Sequence, residues 1–124
     1  MDGLILGTES YRIIGICMEV HSVLGMGFHE VVYKDALEVE FKKHNIPFMR
    51  ERRYDVEYKG EILKHGYCTD FVVYDKIILE IKATDCIIDE HTSQAINYLK
   101  VSGLPVGIVV NFGERSLKYK RVIL

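Results

Sequence analysis

Asp70, Glu80 and Lys82 are the residue types of a cation-assisted hydrolytic site, and their spacing lets them meet. In the run IILEIKATD (77–85), Glu80 and Lys82 stand two residues apart in strand-like surroundings. On a strand, side chains two apart share a face. A hairpin centred near Asp75 brings position 70 opposite about position 80, and cross-strand partners on one face approach within about 5 Å. The neighbours Phe71, Val72, Val73, Ile77, Ile78, Leu79 and Ile81 are all apolar. Two carboxylates in such surroundings repel each other and resist desolvation. A divalent cation relieves both costs. Mg²⁺ takes oxygen ligands, commonly one or two carboxylates with water completing the octahedron. Lys82 beside it could orient a water or stabilise developing negative charge. The plainer alternative is a structural lysine–carboxylate bridge at the sheet edge.

The Glu-x-Lys spacing alone does not single out this site, because it recurs at 40/42 and 57/59. Glu40 and Lys42 fall on a predicted helix, where residues two apart point in different directions. Glu57 and Lys59 run into a turn at Gly60 and read as a solvated face. Two other signals lie nearby. In HTSQAINYL, Gln94 and Tyr98 are four apart on a predicted helix and share its face. A surface amide and a core tyrosine would show the same spacing. Glu30 precedes Tyr33 and Leu37 on one stripe of another predicted helix. An acid on a buried stripe needs a partner or a cation, whereas at a helix N-terminus the dipole alone favours it.

The elements that must position these groups follow from periodicity. TESYRIIGICMEVHSVLG (8–25) predicts a helix, with Ile13, Ile16, Cys17, Val20 and Leu24 at helical spacing and Thr8 or Ser10 able to cap it. Gly25 and Gly27 break it. A second helix spans about 30–44, with Tyr33, Leu37 and Phe41 in one stripe and Ala36 beside them, and Asn45 and Pro47 end it. The period then changes. YDVEY (54–58) alternates, EILKH (61–65) reads as a short strand, and YCTDFVVY (67–74) and KIILEIKA (76–83) are strong strands joined by a tight turn. A helix over 90–102 is closed by Gly103 and Pro105. VGIVVNFG then reads as a buried strand and SLKYKRVIL as a more exposed one. The order α-α-β-β-β-α-β-β predicts an α/β fold with a mixed central sheet flanked by helices. The third helix is long enough to cross over between parallel strands.

The 124 residues suit one domain over 1–124. With 48% hydrophobic and 27% charged residues, the composition is that of a soluble globular protein. No apolar run approaches the roughly 20 residues of a membrane span. The start, MDGLILGTES, lacks the pattern of a signal peptide, so a cytoplasmic location is expected. A net charge of −2 excludes a broadly basic coat but not a local basic groove. Arg50, Arg52 and Arg53 form one basic run and Lys118, Lys120 and Arg121 another; either could contact phosphates or simply face solvent. Cys17, Cys68 and Cys86 form no metal-type pair and are expected as buried free thiols. His21, His29 and His91 flank named positions without an assignable role.

LGMGFHEVVYKDAL, through Gly27, Glu30 and Tyr33, resembles the signature of the GxxExxY proteins. EVHSVLG, YKG at 58–60 and INYLKVSGLPVGIVVNFG are similar to the same family, so the resemblance spans about 11–121. That family is placed in the PD-(D/E)XK nuclease superfamily. The resemblance therefore implies a restriction-endonuclease-like core and a nuclease dependent on Mg²⁺ or Mn²⁺, acting on DNA rather than RNA. By the same resemblance, Asp70 is the metal-binding acid of the first motif, and Glu80 and Lys82 are the acid and lysine of the second. In the mechanism this suggests, the backbone carbonyl of Ile81 would help Asp70 and Glu80 hold the metal. Gln94 and Tyr98 match a Gln-x-x-x-Tyr element, and Glu30 matches the acid of the leading helix, with Glu19 as a second candidate. Thr69 stands where the motif's name has proline. A homodimer could embrace a duplex. The alternatives are a non-catalytic module on the same fold that binds nucleic acid or protein, and a partner protein of toxin–antitoxin type.

Overall fold

The computed structural model describes residues 5–124. Helices α1 (Gly7–Leu24) and α2 (Glu30–Lys43) come first, within a residue of their predicted bounds. Strand β1 (Phe48–Arg50) follows, then four two-residue strands: β2 (Arg53–Tyr54), β3 (Glu57–Tyr58), β4 (Glu61–Ile62) and β5 (Tyr67–Cys68). Next come β6 (Phe71–Val73), β7 (Ile77–Lys82), α3 (Asp89–Ser102), β8 (Val106–Asn111) and β9 (Lys118–Ile123). The main sheet has the order β1-β6-β7-β8-β9. Only β7 and β8 are parallel, joined through α3 as expected. The α/β class with a mixed sheet between helices is therefore as the sequence predicts.

Alternation within the strands divides the core. Phe71, Val73, Ile77, Leu79, Ile81, Ile108, Val110 and Phe112 face α1 and α2, whose stripes bury Ile13, Cys17, Val20, Tyr33, Leu37 and Phe41 against them. Val72 and Ile78 point the other way, onto Tyr98 and Leu99 of α3. Each fully buried aliphatic side chain contributes roughly 1.5–3 kcal/mol. Because β7 and β8 are covered on both faces, they are buried almost throughout, with unbroken apolar runs at 77–79 and 106–110 rather than alternation. The β6–β7 turn is tight. Tyr74 and Asp75 both have φ 57, and the Lys76 N–H donates to the Val73 carbonyl, a left-handed turn of the kind that matches strand twist, within the three residues between the paired Val73 and Ile77.

Several local expectations need correction. YDVEY and YCTDFVVY are each split in two, because the chain between β1 and β6 is a long hairpin arm rather than further strands of the main sheet. Its ladder is interrupted where Glu51 takes φ 57. Across that kink the Glu51 N–H donates to Asp70 O and the Thr69 N–H to Arg52 O, so the β1–β6 register carries on into β2 and β5. β1 itself, three residues behind Pro47, is too short to show a period. Neither Thr8 nor Ser10 caps α1, which starts behind Leu6 without a side-chain cap. Ser10 is instead buried against Arg121. Cys17 is buried, but Cys68 and Cys86 are exposed, since Cys68 lies on the arm, where no second layer covers it. No described helix is long and apolar enough to cross a membrane.

Candidate active site

The β6–β7 ladder pairs Phe71 with Leu79, so by extension Asp70 lies opposite Glu80, the register expected from the hairpin. At this point carboxylates replace the ladder's carbonyls. Glu80 Oε2 accepts the Asp70 N–H at 2.7 Å, and Asp70 Oδ2 accepts the Ile81 N–H at 2.7 Å. Each acid is thus fixed by the other strand's backbone. The Ile81 N–H points toward β6. A strand residue sends its N–H and C=O to the same edge, so the Ile81 carbonyl also points toward the β6 side.

Glu80 is only 4% exposed. Burial, then the charge of Asp70, pushes its carboxyl up to about 8, against the opposing pull of the Asp70 N–H and of the Lys82 and Lys34 ammoniums. Tyr98 is buried on the same face. Desolvation, then the charges of Glu80 and Asp70, keeps its phenol above the ordinary tyrosine range. Its ring meets Tyr67 edge-on at 5.3 Å. Lys82 shares the face of Glu80, and its Nζ is 3.5 Å from Gln94 Oε1, the long limit of a hydrogen bond. Asp70, Glu80, Ile81, Lys82, Gln94 and Tyr98 therefore converge.

Glu30 and Glu19 make no hydrogen bond or ion pair with these groups, although Glu30 and Lys82 both act on the His91 ring. Glu30 is exposed rather than buried on its stripe. It occupies the first position of α2, where the helix dipole favours it. It lines a cavity of about 670 Å³ with Phe28, His29, Ala83, Thr84 and Asp85. Glu19 is exposed on α1 and lines a different depression with Arg12, Glu40 and His44.

Sequence reasoning passed over Lys34. From α2 its Nζ reaches Asp70 Oδ1 at 3.0 Å and Glu51 Oε1 at 3.4 Å, with the lysine side chain 12% exposed. Burial alone would lower the ammonium, but hydrogen bonds and charge from Asp70, then Glu51, raise it above the ordinary lysine value. Lys34 sits next to Tyr33 on a half-buried flank of α2, a position that permits burial of a lysine without requiring it, as the exposed Lys42 beside the core Phe41 shows. What it reaches depends on the Glu51 kink, which has no sequence signature.

Other residues hold the loops around the cluster. The buried Asn111 amide accepts from the Thr84 and Gly113 N–H groups through Oδ1 and donates to Thr84 O and Glu114 Oε2 through Nδ2. This clamps the chain just beyond Lys82. Tyr33 donates its hydroxyl to Gly25 O at 2.6 Å, accepts the Phe28 N–H at 3.3 Å and stacks on Phe112 at 4.5 Å. The tyrosine of the GxxExxY-like run thus ties the α1–α2 loop to the end of β8. His91 Nδ1 accepts the Ile88 N–H at the start of α3. Burial, then the Lys82 ammonium, lowers the His91 pKa and favours the neutral ring. The two basic runs are not uniform surfaces. Arg50 is paired with Asp35 at 2.7 Å and Glu38 at 3.1 Å, Arg52 lies over the Tyr54 ring, and Arg121 is half-buried while Lys118 and Lys120 are exposed.

Among the described residues, no three His, Cys, Asp or Glu gather to hold a metal. The donors that do converge are two carboxylates and one carbonyl, all oxygen. One of the acids is buried and destabilised as an anion. That set fits Mg²⁺ or Mn²⁺, hard cations that keep several waters and use one or two carboxylates, better than a metal needing a full protein cage.

A protein-family model described as the PD-(D/E)XK nuclease superfamily matches residues 7–122. No curated protein matches. Among solved structures, the crystal structure of SSO0001 is similar with a TM-score of 0.60 and 14% identity, covering 96% of this chain and 79% of that one. Identity that low speaks to fold alone.

Proposed function

The chain belongs to the PD-(D/E)XK nuclease superfamily, and on that premise we propose that it is a Mg²⁺- or Mn²⁺-dependent nuclease hydrolysing phosphodiester bonds of DNA. Within the superfamily we assign it to the GxxExxY proteins, with residues 1–124 as one nuclease domain working in the cytoplasm. The observation that carries the reading is the reciprocal lock between the two acids, Glu80 on the Asp70 N–H and Asp70 on the Ile81 N–H, with Lys82 on the Glu80 face.

In this reading Asp70, Glu80 and the Ile81 carbonyl hold the ion. When bound, the ion supplies a Lewis acid that stabilises charge on the phosphoryl oxygens and makes water more acidic. The backbone bonds to both acids keep their oxygens oriented with little reorganisation, which is what preorganised charge stabilisation requires. Lys82 donates to the phosphoryl oxygen or to the attacking water and aligns one with the other. Gln94 steadies the Lys82 ammonium. Tyr98, kept a neutral phenol, forms the floor beneath Glu80. A new P–O bond forms from water as the opposite P–O ester bond breaks; the water's proton passes to solvent, and the departing oxygen takes a proton from solvent and leaves as a hydroxyl. A homodimer would let two such sites face a duplex.

The test is incubation with single- and double-stranded DNA and RNA in Mg²⁺, Mn²⁺ or EDTA. Metal-dependent DNA cleavage that is lost in Glu80→Gln supports the assignment. One observation favours a second reading: Lys34 already neutralises Asp70, as it would in a binding module that never takes a metal. Salt-sensitive DNA binding without metal-dependent cleavage would select the module.

A further inference from the structure

Asp70 has one carboxylate oxygen bound to the Ile81 N–H and the other at 3.0 Å from the Lys34 ammonium. The oxygen that Asp70 could turn toward an incoming cation is therefore already in contact with one. Two positive charges cannot share Oδ1 at such distances without strong repulsion. A second acceptor stands ready: Glu51 Oε1 is 3.4 Å from the same Nζ, on a side chain 62% exposed. The Glu51 kink puts that carboxylate beside the site while leaving it in water.

We infer that Lys34 is a resident counter-cation, which holds Asp70 in the metal-free protein and swings onto Glu51 when a divalent ion enters, so that Lys34 and Glu51 together set the metal affinity. The inference rests on the reading of Asp70 as a metal ligand. Lys34 lies outside the acid-x-lysine run and comes from the opposite side of the sheet, so it acts on the metal through Asp70 as a positioning residue, separately from Lys82. Its removal frees Oδ1 for the ion and leaves Asp70 without its ammonium when no ion is present. Losing Glu51 has the reverse effect, because the displaced ammonium then has no carboxylate to receive it.

The experiment is calorimetric titration of the full chain with Mn²⁺, with thermal melting in EDTA alongside. Lys34→Met is expected to bind Mn²⁺ about tenfold more tightly than the wild type and to melt lower in EDTA, the gap closing when Mn²⁺ is saturating. Glu51→Gln is expected to bind Mn²⁺ severalfold more weakly, and it tests the same exchange should Lys34→Met fail to fold. Unchanged or weakened Mn²⁺ binding in Lys34→Met, or unchanged binding in Glu51→Gln, overturns the inference and leaves Lys34 as a strut. Asp70→Asn separates the two levels. If the wild type binds Mn²⁺ and Asp70→Asn does not, the site reading stands whatever Lys34 does. If the wild type shows no binding that Asp70→Asn abolishes, the site reading fails and the Lys34 inference goes with it.

Discussion

Glu80 is a buried acid with another acid as its partner, and the metal-free protein bears the consequence as pH rises. Its folded pKa of about 8 lies above the ordinary 4.5, so folding favours the protonated form. Glu80's contribution to stability is fully present below the unfolded value and is lost as pH climbs through about 8. In EDTA, wild-type stability is expected to fall relative to Glu80→Gln between about pH 5 and pH 9, by roughly 2–5 kcal/mol. Parallel pH curves for the two proteins would contradict this. Lys82→Met is expected to keep Mn²⁺ binding and lose about 10²–10³ in turnover, the scale of a lost charge-stabilising donor; an unaltered rate would remove Lys82 from the mechanism. The acid pair was legible from sequence because hairpin register is simple arithmetic once Asp75 is taken as the centre. Lys34 was not, since helix periodicity gives no hint of a carboxylate brought alongside by a kinked arm.

At the scale of elements, the loop leaving β7 must keep its path for Lys82 to meet Gln94, and Gly113 guards it. A Cβ at Gly113 would lie 2.2 Å from Thr84 O and 2.5 Å from Thr84 N, backbone atoms that the Asn111 amide pins in place. Gly113→Ala is expected to cost about 1–3 kcal/mol, as overpacking does, and to lower cleavage further than the stability loss explains. Chemical denaturation and single-turnover rates on the same protein separate the two effects. The β6–β7 hairpin and the three helices were plain in the sequence: Val and Ile richness, the 74–76 turn and the stripes ending at glycine or asparagine all agree. The arm was obscured because its pairs are two residues long and mostly exposed, so no burial imposes a period on them.

For the molecule as a whole, metal and fold are linked. An ion present at a hundred times its Kd for the native state stabilises by about 2.7 kcal/mol, a rise of roughly 8–16 °C for a chain of this size. Mg²⁺ is expected to produce that shift in the wild type and none in Asp70→Asn, read by differential scanning fluorimetry. The mixed sheet was legible as a class because α3 is long enough to return the chain beside β7. The fifth strand, β1, was not, since three residues behind a proline carry too little pattern. The parallel pairing itself has a consequence for biosynthesis. Ile77 pairs with Val106, so a ribosome delivers β7 well before its neighbour exists. Until β8 emerges and α3 has wound, a greasy strand with a bare hydrogen-bonding edge is all the nascent chain can show. The acidic pair needs only the β6–β7 hairpin, but its cover under α3 and the meeting of Lys82 with Gln94 come later, and until then the half-made chain is an aggregation hazard.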